Sequence, residues 1–345
     1  MTFTALKTEV HRNMKLPHFY KTDSLGALLA AGLVLVSAIF VRDFFPGGNG
    51  QAPSYAGQPP LVAIEDAAVP LAQTPQSAQA RMPEASGKVV YSGKSAVIDA
   101  SNTSQGYVMV KYTGASSKVK LQISGSNRIL YTYDLHKGSY DTFPLTSGDG
   151  SYQLNIYEHV RNSQYSLAMN KTISVKLESS LLPYLYPNQY VNYSAGSQTV
   201  AKGAQLAVGA KNQLAVVQNV YTYVISHITY DTQKANTVTS GYLPVVDNIL
   251  SSGKGICFDY AAVMATMLRT QNIPTRLEVG YASGGIYHAW VSVYLEQQGW
   301  VNGIIYFDGK TWKLMDPTFA SSAKSSDSIM KFIGNGSNYS TKYVY

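Results

Sequence analysis

The stretch Gly253-Lys254-Gly255-Ile256-Cys257-Phe258-Asp259-Tyr260 holds the only cysteine of the chain and leads into a helical pattern. Phe258, Ala261, Ala262, Ala265 and Leu268 fall at i, i+3, i+4, i+7 and i+10, the spacing of one apolar helix face. Gly253 and Gly255 permit a sharp turn just before it. Cys257 is thereby placed in the first helical turn, where unpaired backbone N–H groups and the helix dipole favour a thiolate. Asn272-Ile273-Pro274 ends the helix. Residues 275–282 read as a strand and residues 283–285 as a turn. Residues 287–295 then alternate, with His288, Trp290, Ser292 and Tyr294 on one face and Ala289, Val291, Val293 and Leu295 on the other. Asp308-Gly309 suits a two-residue hairpin turn. The strand after it carries Trp312, Leu314 and Asp316 on one face and ends at Pro317.

A thiol at its ordinary pKa is mostly protonated at neutral pH, so a catalytic cysteine needs a base beside it. His288, 31 residues after Cys257, is a base on a nearby strand. Asp316, 28 residues further on, can accept from the other imidazole nitrogen and fix the tautomer. Spacing alone does not establish this set, because the three residue types occur in this order in many chains.

Three blocks sharpen it. Gly255-Ile256-Cys257-Phe258-Asp259-Tyr260-Ala261, Tyr287-His288-Ala289-Trp290-Val291 and Met315-Asp316-Pro317-Thr318 together resemble the bacterial transglutaminase-like core. The junction Gln271-Asn272-Ile273-Pro274-Thr275-Arg276 resembles that family's Gly-Ile-Pro-Ala-Arg turn, with Asn272 in the glycine's place. The resemblance covers about residues 200–320. It implies a papain-like site with Cys257 as nucleophile, His288 as base and Asp316 as orienter. The interval from His288 to Asp316 is longer than in many small bacterial members, and residues 300–312 look like an inserted hairpin. Asp308 is therefore a rival for the third position, with Asp316 preferred for its Asp-Pro-Thr context. The oxyanion donors are left open between the Cys257 backbone N–H and a side chain from a preceding helix or loop.

The remainder of the 345 residues surrounds this core. Only 14% are charged, the formal charge is +7, and no run of Lys and Arg suggests a nucleic-acid groove. A mildly basic surface suits anionic wall polymers or membranes. Residues 1–24 form a basic cytoplasmic tail, and residues 25–41 are an uncharged run of 17, read as a transmembrane signal-anchor with the C-terminal part outside. The alternative is secretion after signal cleavage. Residues 42–87, rich in Pro, Gly, Ala and Gln, read as a flexible linker.

Residues 88–180 show short alternating strands, as in Val108, Val110 and Tyr112 or Tyr152, Leu154 and Ile156, and predict an immunoglobulin-like β-sandwich. Residues 181–345 form the catalytic domain. Within it, positions from Leu206 to Ile228 predict one amphipathic helix behind the cysteine helix, residues 245–250 a short helix, and residues 339–345 a last edge strand.

Each singled-out residue also has a plain reading. A lone cysteine is commonly a small core hydrophobe, His288 a satisfied sheet histidine, and Asp316 a turn former before proline. Asp259 and Tyr260 are expected to be structural, His136 and His159 to be surface histidines, and His227 to sit structurally at a helix end. One cysteine and dispersed histidines do not make a metal ligand set, and no cofactor is expected.

The resulting expectation is an α+β chain with a transglutaminase-like core behind a β-sandwich and an N-terminal membrane helix. It acts on amide bonds of a protein or peptide substrate, cell-wall associated, through a Cys257 thioester. The alternative is a non-catalytic surface-binding module that keeps the fold.

Overall fold

The computed structural model describes residues 80–239, 241–282, 286–296, 299–301, 305–307, 312–314 and 339–345. The expected membrane helix at 25–41, the linker before residue 80, and both Asp308 and Asp316 lie outside them. Among the described residues no helix is long and apolar enough to cross a membrane.

Eight strands come first: β1 Val90–Ser92, β2 Ala96–Asp99, β3 Tyr107–Tyr112, β4 Val119–Ser124, β5 Leu130–Asp134, β6 Tyr140–Pro144, β7 Gly150–Arg161 and β8 Gln164–Val175. They make two four-stranded antiparallel sheets, in the orders β1-β2-β3-β6 and β5-β4-β7-β8. Alternation is the cause. In β4, Val119, Leu121 and Ile123 are buried while the residues between them are partly exposed. Val108, Val110 and Phe143 of one sheet share a core with Leu121, Leu154 and Ile156 of the other.

Helices follow: α1 Gln198–Ala207, α2 Gln213–His227, α3 Thr232–Thr237, α4 Val246–Ser252 and α5 Cys257–Arg269. The single helix expected from Leu206 to Ile228 is therefore two. Gly209 breaks it with a φ of 75°, and Asn212 starts the second by accepting the Ala215 N–H at 2.9 Å. Residues 232–237 form α3 because Asp231 caps it, accepting the Lys234 N–H at 2.8 Å.

The second sheet region has β11 Thr275–Ala282, β12 Ile286–Leu295, β13 Gly299–Val301 and β16 Tyr339–Val344, in the order β13-β12-β11-β16. The expected strands are there, and β16 is the expected edge. A separate hairpin pairs β14 Ile305–Phe307 with β15 Trp312–Leu314. Phe307 pairs with Trp312, and the turn expected at Asp308-Gly309 lies outside the described residues.

Helix α5 is where expectation and structure differ most. Its spacing marks one apolar face, whereas every residue from Cys257 to Arg269 is buried. It lies between α1, α2 and α4 on one side and β11 and β12 on the other. A helix enclosed in this way is mostly apolar around its circumference, and here Asp259, Thr266 and Arg269 are its buried polar members. At Gly203 an added Cβ would stand 2.9 Å from the Met267 Cα, which shows how closely α1 lies on α5.

Tyrosines join the front sheets to the helix and sheet that follow. Tyr131 and Tyr133 of β5 meet Tyr343 and Tyr345, and Tyr190 lies with ring centroids 4.1 Å from Tyr345 and 5.5 Å from Phe258. Burial pushes the Tyr190 phenol up to about 12. Aromatic rings provide large contact areas with few torsions to fix, which gives the high tyrosine content a structural use.

Candidate active site

The turn before α5 is built by two short parallel strands, β9 Thr229–Tyr230 and β10 Lys254–Gly255. Gly253 ends α4 with a φ of 61°, which favours glycine. At Gly255 a side chain would put Cβ 2.7 Å from the Asp259 Cβ, so the chain enters the helix against the face of its own first turn. Cys257 follows as the first helical residue, 1% exposed.

Asp259 fixes that turn. Its carboxylate accepts the Ile256 N–H at 2.9 Å, the Tyr242 hydroxyl at 2.6 Å and the Lys234 ammonium at 2.5 Å. Lys234 also donates to the Tyr242 oxygen at 2.6 Å. Burial and the adjacent Asp259 charge push the Tyr242 phenol well above its ordinary range, so it stays a donor. Tyr260 donates to the Ile228 carbonyl at 2.6 Å and is fully buried. Both residues therefore have the structural roles expected of them. Lys234 and Tyr242 were not legible as partners, because nothing in residues 232–242 marks which side chains turn inward.

His288 is 6% exposed and stands on β12 directly opposite Gly280 of β11. Strand β12 packs against α5. The next residue toward the strand's start, Tyr287, is within electrostatic reach of Cys257. Burial raises its phenol first of all, with Tyr343, Tyr190, Tyr281 and then Cys257 adding to the push. Helix α5, which Cys257 opens, and strand β12, which carries His288, are thus packed neighbours. The third position, whether Asp316 or Asp308, falls outside the described residues.

Two features around His288 were not foreseen. Glu278 is 5% exposed and faces Trp290 two pairs along from Gly280–His288, on the same face. Its Oε2 accepts the Thr341 hydroxyl at 2.6 Å. A carboxylate between Leu277 and Val279 in an apolar strand was the available signal, but its placement beside His288 needed the strand register. Arg276, further along that face, has its guanidinium 3.6 Å from the Trp300 ring centre and 4.8 Å from that of Tyr184.

At the far end of α5, Asn272 takes a φ of 57°. This is the left-handed conformation that glycine supplies most easily and asparagine tolerates. Its N–H bonds the Arg269 carbonyl at 3.0 Å and that of Ile273 bonds Leu268 at 3.1 Å, closing the helix.

His227 donates from Nε2 to the Leu250 carbonyl at 2.8 Å and stacks on Tyr223, a structural role at a helix end. His136 pairs with Asp141 at 2.9 Å and His159 with the Asn162 carbonyl at 2.8 Å. Among the described residues no group of three or more His, Cys, Asp or Glu is placed to hold a metal ion.

Residues 201–303 match the family model described as the transglutaminase-like superfamily. The match includes Cys257 and His288 and stops before Asp316. The uncharacterized protein YebA of Bacillus subtilis strain 168 is 28% identical over 148 residues, 37% of this chain and 20% of YebA. The chain therefore spans about a fifth of that relative's length. Among solved structures, a Cytophaga hutchinsonii protein provisionally described as a cysteine protease aligns over 74% of this chain and 78% of its own, with 12% identity and a TM-score of 0.35. Red sea bream transglutaminase aligns over 66% of this chain and 53% of its own, with 13% identity and a TM-score of 0.27.

Proposed function

We propose that this chain, a member of the transglutaminase-like superfamily through residues 201–303, is an exported cysteine enzyme that acts on amide bonds. One observation carries the reading: Cys257 opens α5, and α5 packs on the strand that carries His288. A nucleophile at a helix start has backbone N–H groups around it for the negative charge that develops during acyl transfer.

In this reading His288 takes the thiol proton as the sulfur of Cys257 adds to the substrate carbonyl. The imidazolium, oriented by Asp316, returns that proton to the leaving amine, and a thioester remains on Cys257. Water then resolves it to a carboxylic acid, or an amine resolves it to a new amide. The exclusion of water by the residues around the thioester decides between these outcomes.

Residues 25–41 serve as the membrane anchor, residues 42–87 as a stalk, and the two front sheets as a β-sandwich spacer. The substrate is a protein or a wall peptide on the cell surface.

A non-catalytic binding module is the second reading, favoured by the 1% exposure of Cys257. Release of amine from a pool of glutamine-containing peptides, and incorporation of a dansylated alkylamine into them, separate the two. The enzyme reading expects one of these activities in the full chain and its loss in both Cys257→Ala and His288→Ala. A full chain indistinguishable from Cys257→Ala in both assays rules it out in favour of the module.

A further inference from the structure

A cavity of about 400 Å³ lies where the sheet of β3 and β6 meets residues of the segment 187–193, Met82, Pro83 and Leu243. Its size is at the lower end of ligand-binding clefts. Four consecutive residues, Ser139, Tyr140, Asp141 and Thr142, line it. A cleft resting on a sheet face would meet only every second residue of a strand, so this one runs along a strand edge. Strand β6 is the end strand of its sheet, paired with β3 alone.

The phase of that edge follows from the pairing. The Leu145 N–H bonds the Gly106 carbonyl at 2.9 Å, so at Phe143 and Asp141 the backbone groups point toward β3. At Tyr140 and Thr142 they point outward. Pro144, in the same phase, has no N–H to leave unpaired, as suits an edge strand. Among the described residues no other segment pairs with the outward backbone groups of Tyr140 and Thr142.

Across the cleft, Asn188 is 4% exposed. Its Oδ1 accepts the N–H groups of Tyr190 and Val191, whereas its Nδ2 has no partner. That amide is a buried donor lacking an acceptor, which costs free energy while it remains so. The Asp141 carboxylate is already engaged by His136. The lining therefore offers the outward backbone groups of β6 without a free carboxylate.

We propose that this cleft takes an extended polypeptide segment as an added strand on β6, held by the outward backbone groups of Tyr140 and Thr142. The segment belongs to the polypeptide whose amide is presented to Cys257, and this part rests on the enzymatic reading above. The path is short in structure: Leu243 follows Tyr242, which bonds Asp259 of α5, and Tyr190 packs on Phe258 beside Cys257.

The test uses the full chain carrying Cys257→Ser, so binding is read without turnover. The probes are a short dye-labelled peptide of alternating Thr and Val, its backbone N-methylated form, and a hexamer of β-1,4-linked N-acetylglucosamine. The expected result is saturable peptide binding that is lost on N-methylation. Binding weakens about tenfold or more in Thr142→Pro, which removes one outward N–H, and stays nearly unchanged in Thr142→Ala, which keeps it. Equal binding of the methylated peptide, no peptide binding, or binding of the glycan alone overturns the proposal. The methylated probe decides the matter even if Thr142→Pro does not fold. Peptide binding in a chain that shows no Cys257-dependent activity would leave this cleft standing and remove only the enzymatic reading.

Discussion

Tyr242 donates its phenolic proton to Oδ1 of Asp259 at 2.6 Å, and Asp259 stands two residues after Cys257 in the same helical turn. Position 257 is thus held from outside its helix, through a carboxylate that also accepts the Ile256 N–H and the Lys234 ammonium.

Tyr242→Phe is expected to remove one charge-assisted bond and destabilise the fold by about 2 kcal/mol. Asp259→Ala leaves Lys234 without its carboxylate partner and the Ile256 N–H without an acceptor, and is expected to cost about 3–5 kcal/mol. Urea midpoints for the two variants measure both. A loss in Asp259→Ala no greater than in Tyr242→Phe would show that the cap and the ion pair contribute little.

Asp247 of α4 predicts a pH effect. Burial acts to raise its carboxyl, but bonds from the Thr199 N–H and hydroxyl and the Gln198 N–H outweigh this and hold it below the usual range. The folded state then binds fewer protons than the unfolded one, so stability rises with pH through this interval. The contribution is complete above the unfolded carboxylate value of about 3.9 and fades as the pH falls toward the lower folded value. Asp247→Asn is expected to flatten the acid limb of a plot of urea midpoint against pH. An unchanged acid limb would refute this cap as its source.

Arg269 is fully enclosed and donates to three carbonyls, those of Thr275 at 2.9 Å, Tyr186 at 2.7 Å and Tyr345 at 2.8 Å. Burial pulls its guanidinium down to about 10, against Tyr193 and Tyr184, so it stays charged at neutral pH. Arg269→Ala strands three buried acceptors and is expected to cost at least about 3 kcal/mol. At the same helix end, Asn272→Ala is expected to cost about 1 kcal/mol for its left-handed backbone, and Asn272→Gly almost nothing. Thermal unfolding of the three variants checks the ranking.

Gly280 supports the strand pair that carries His288. A Cβ there would stand 2.0 Å from the Ser340 carbonyl oxygen, at the register shift between β11 and β16. Gly280→Ala is expected to cost about 1–3 kcal/mol or more by displacing β16. Hydrogen exchange should show the loss first in residues 340–344. Unchanged protection there would contradict the close approach.

Much of this architecture was legible from period alone. Strands β11 and β12 follow from alternation, and the start of α5 from glycines placed before an apolar run. Asn272 was legible as the glycine's substitute through the resemblance of its junction, and asparagine is one of the few residues besides glycine that tolerate the left-handed conformation it takes. The enclosure of α5 was not, because alanine and methionine suit a wet or a dry helix face equally. Nor was Glu278 beside His288, or Lys234 beneath Asp259, since both depend on which elements become neighbours. The expected third residue, Asp316, lies outside the described residues, so the proposed triad rests on the sequence blocks, and the packing of α5 against β12 bears only on Cys257 and His288.

The most direct test is the rate at which iodoacetamide alkylates Cys257 at neutral pH in the full chain, in His288→Ala and in Asp316→Ala. With a single cysteine, intact mass reports that residue alone. The account predicts fast alkylation in the full chain, a rate at least about tenfold lower in His288→Ala, and an intermediate rate in Asp316→Ala, as expected of an activating base and its orienter. Equal rates in all three would contradict it and leave Cys257 as a core residue.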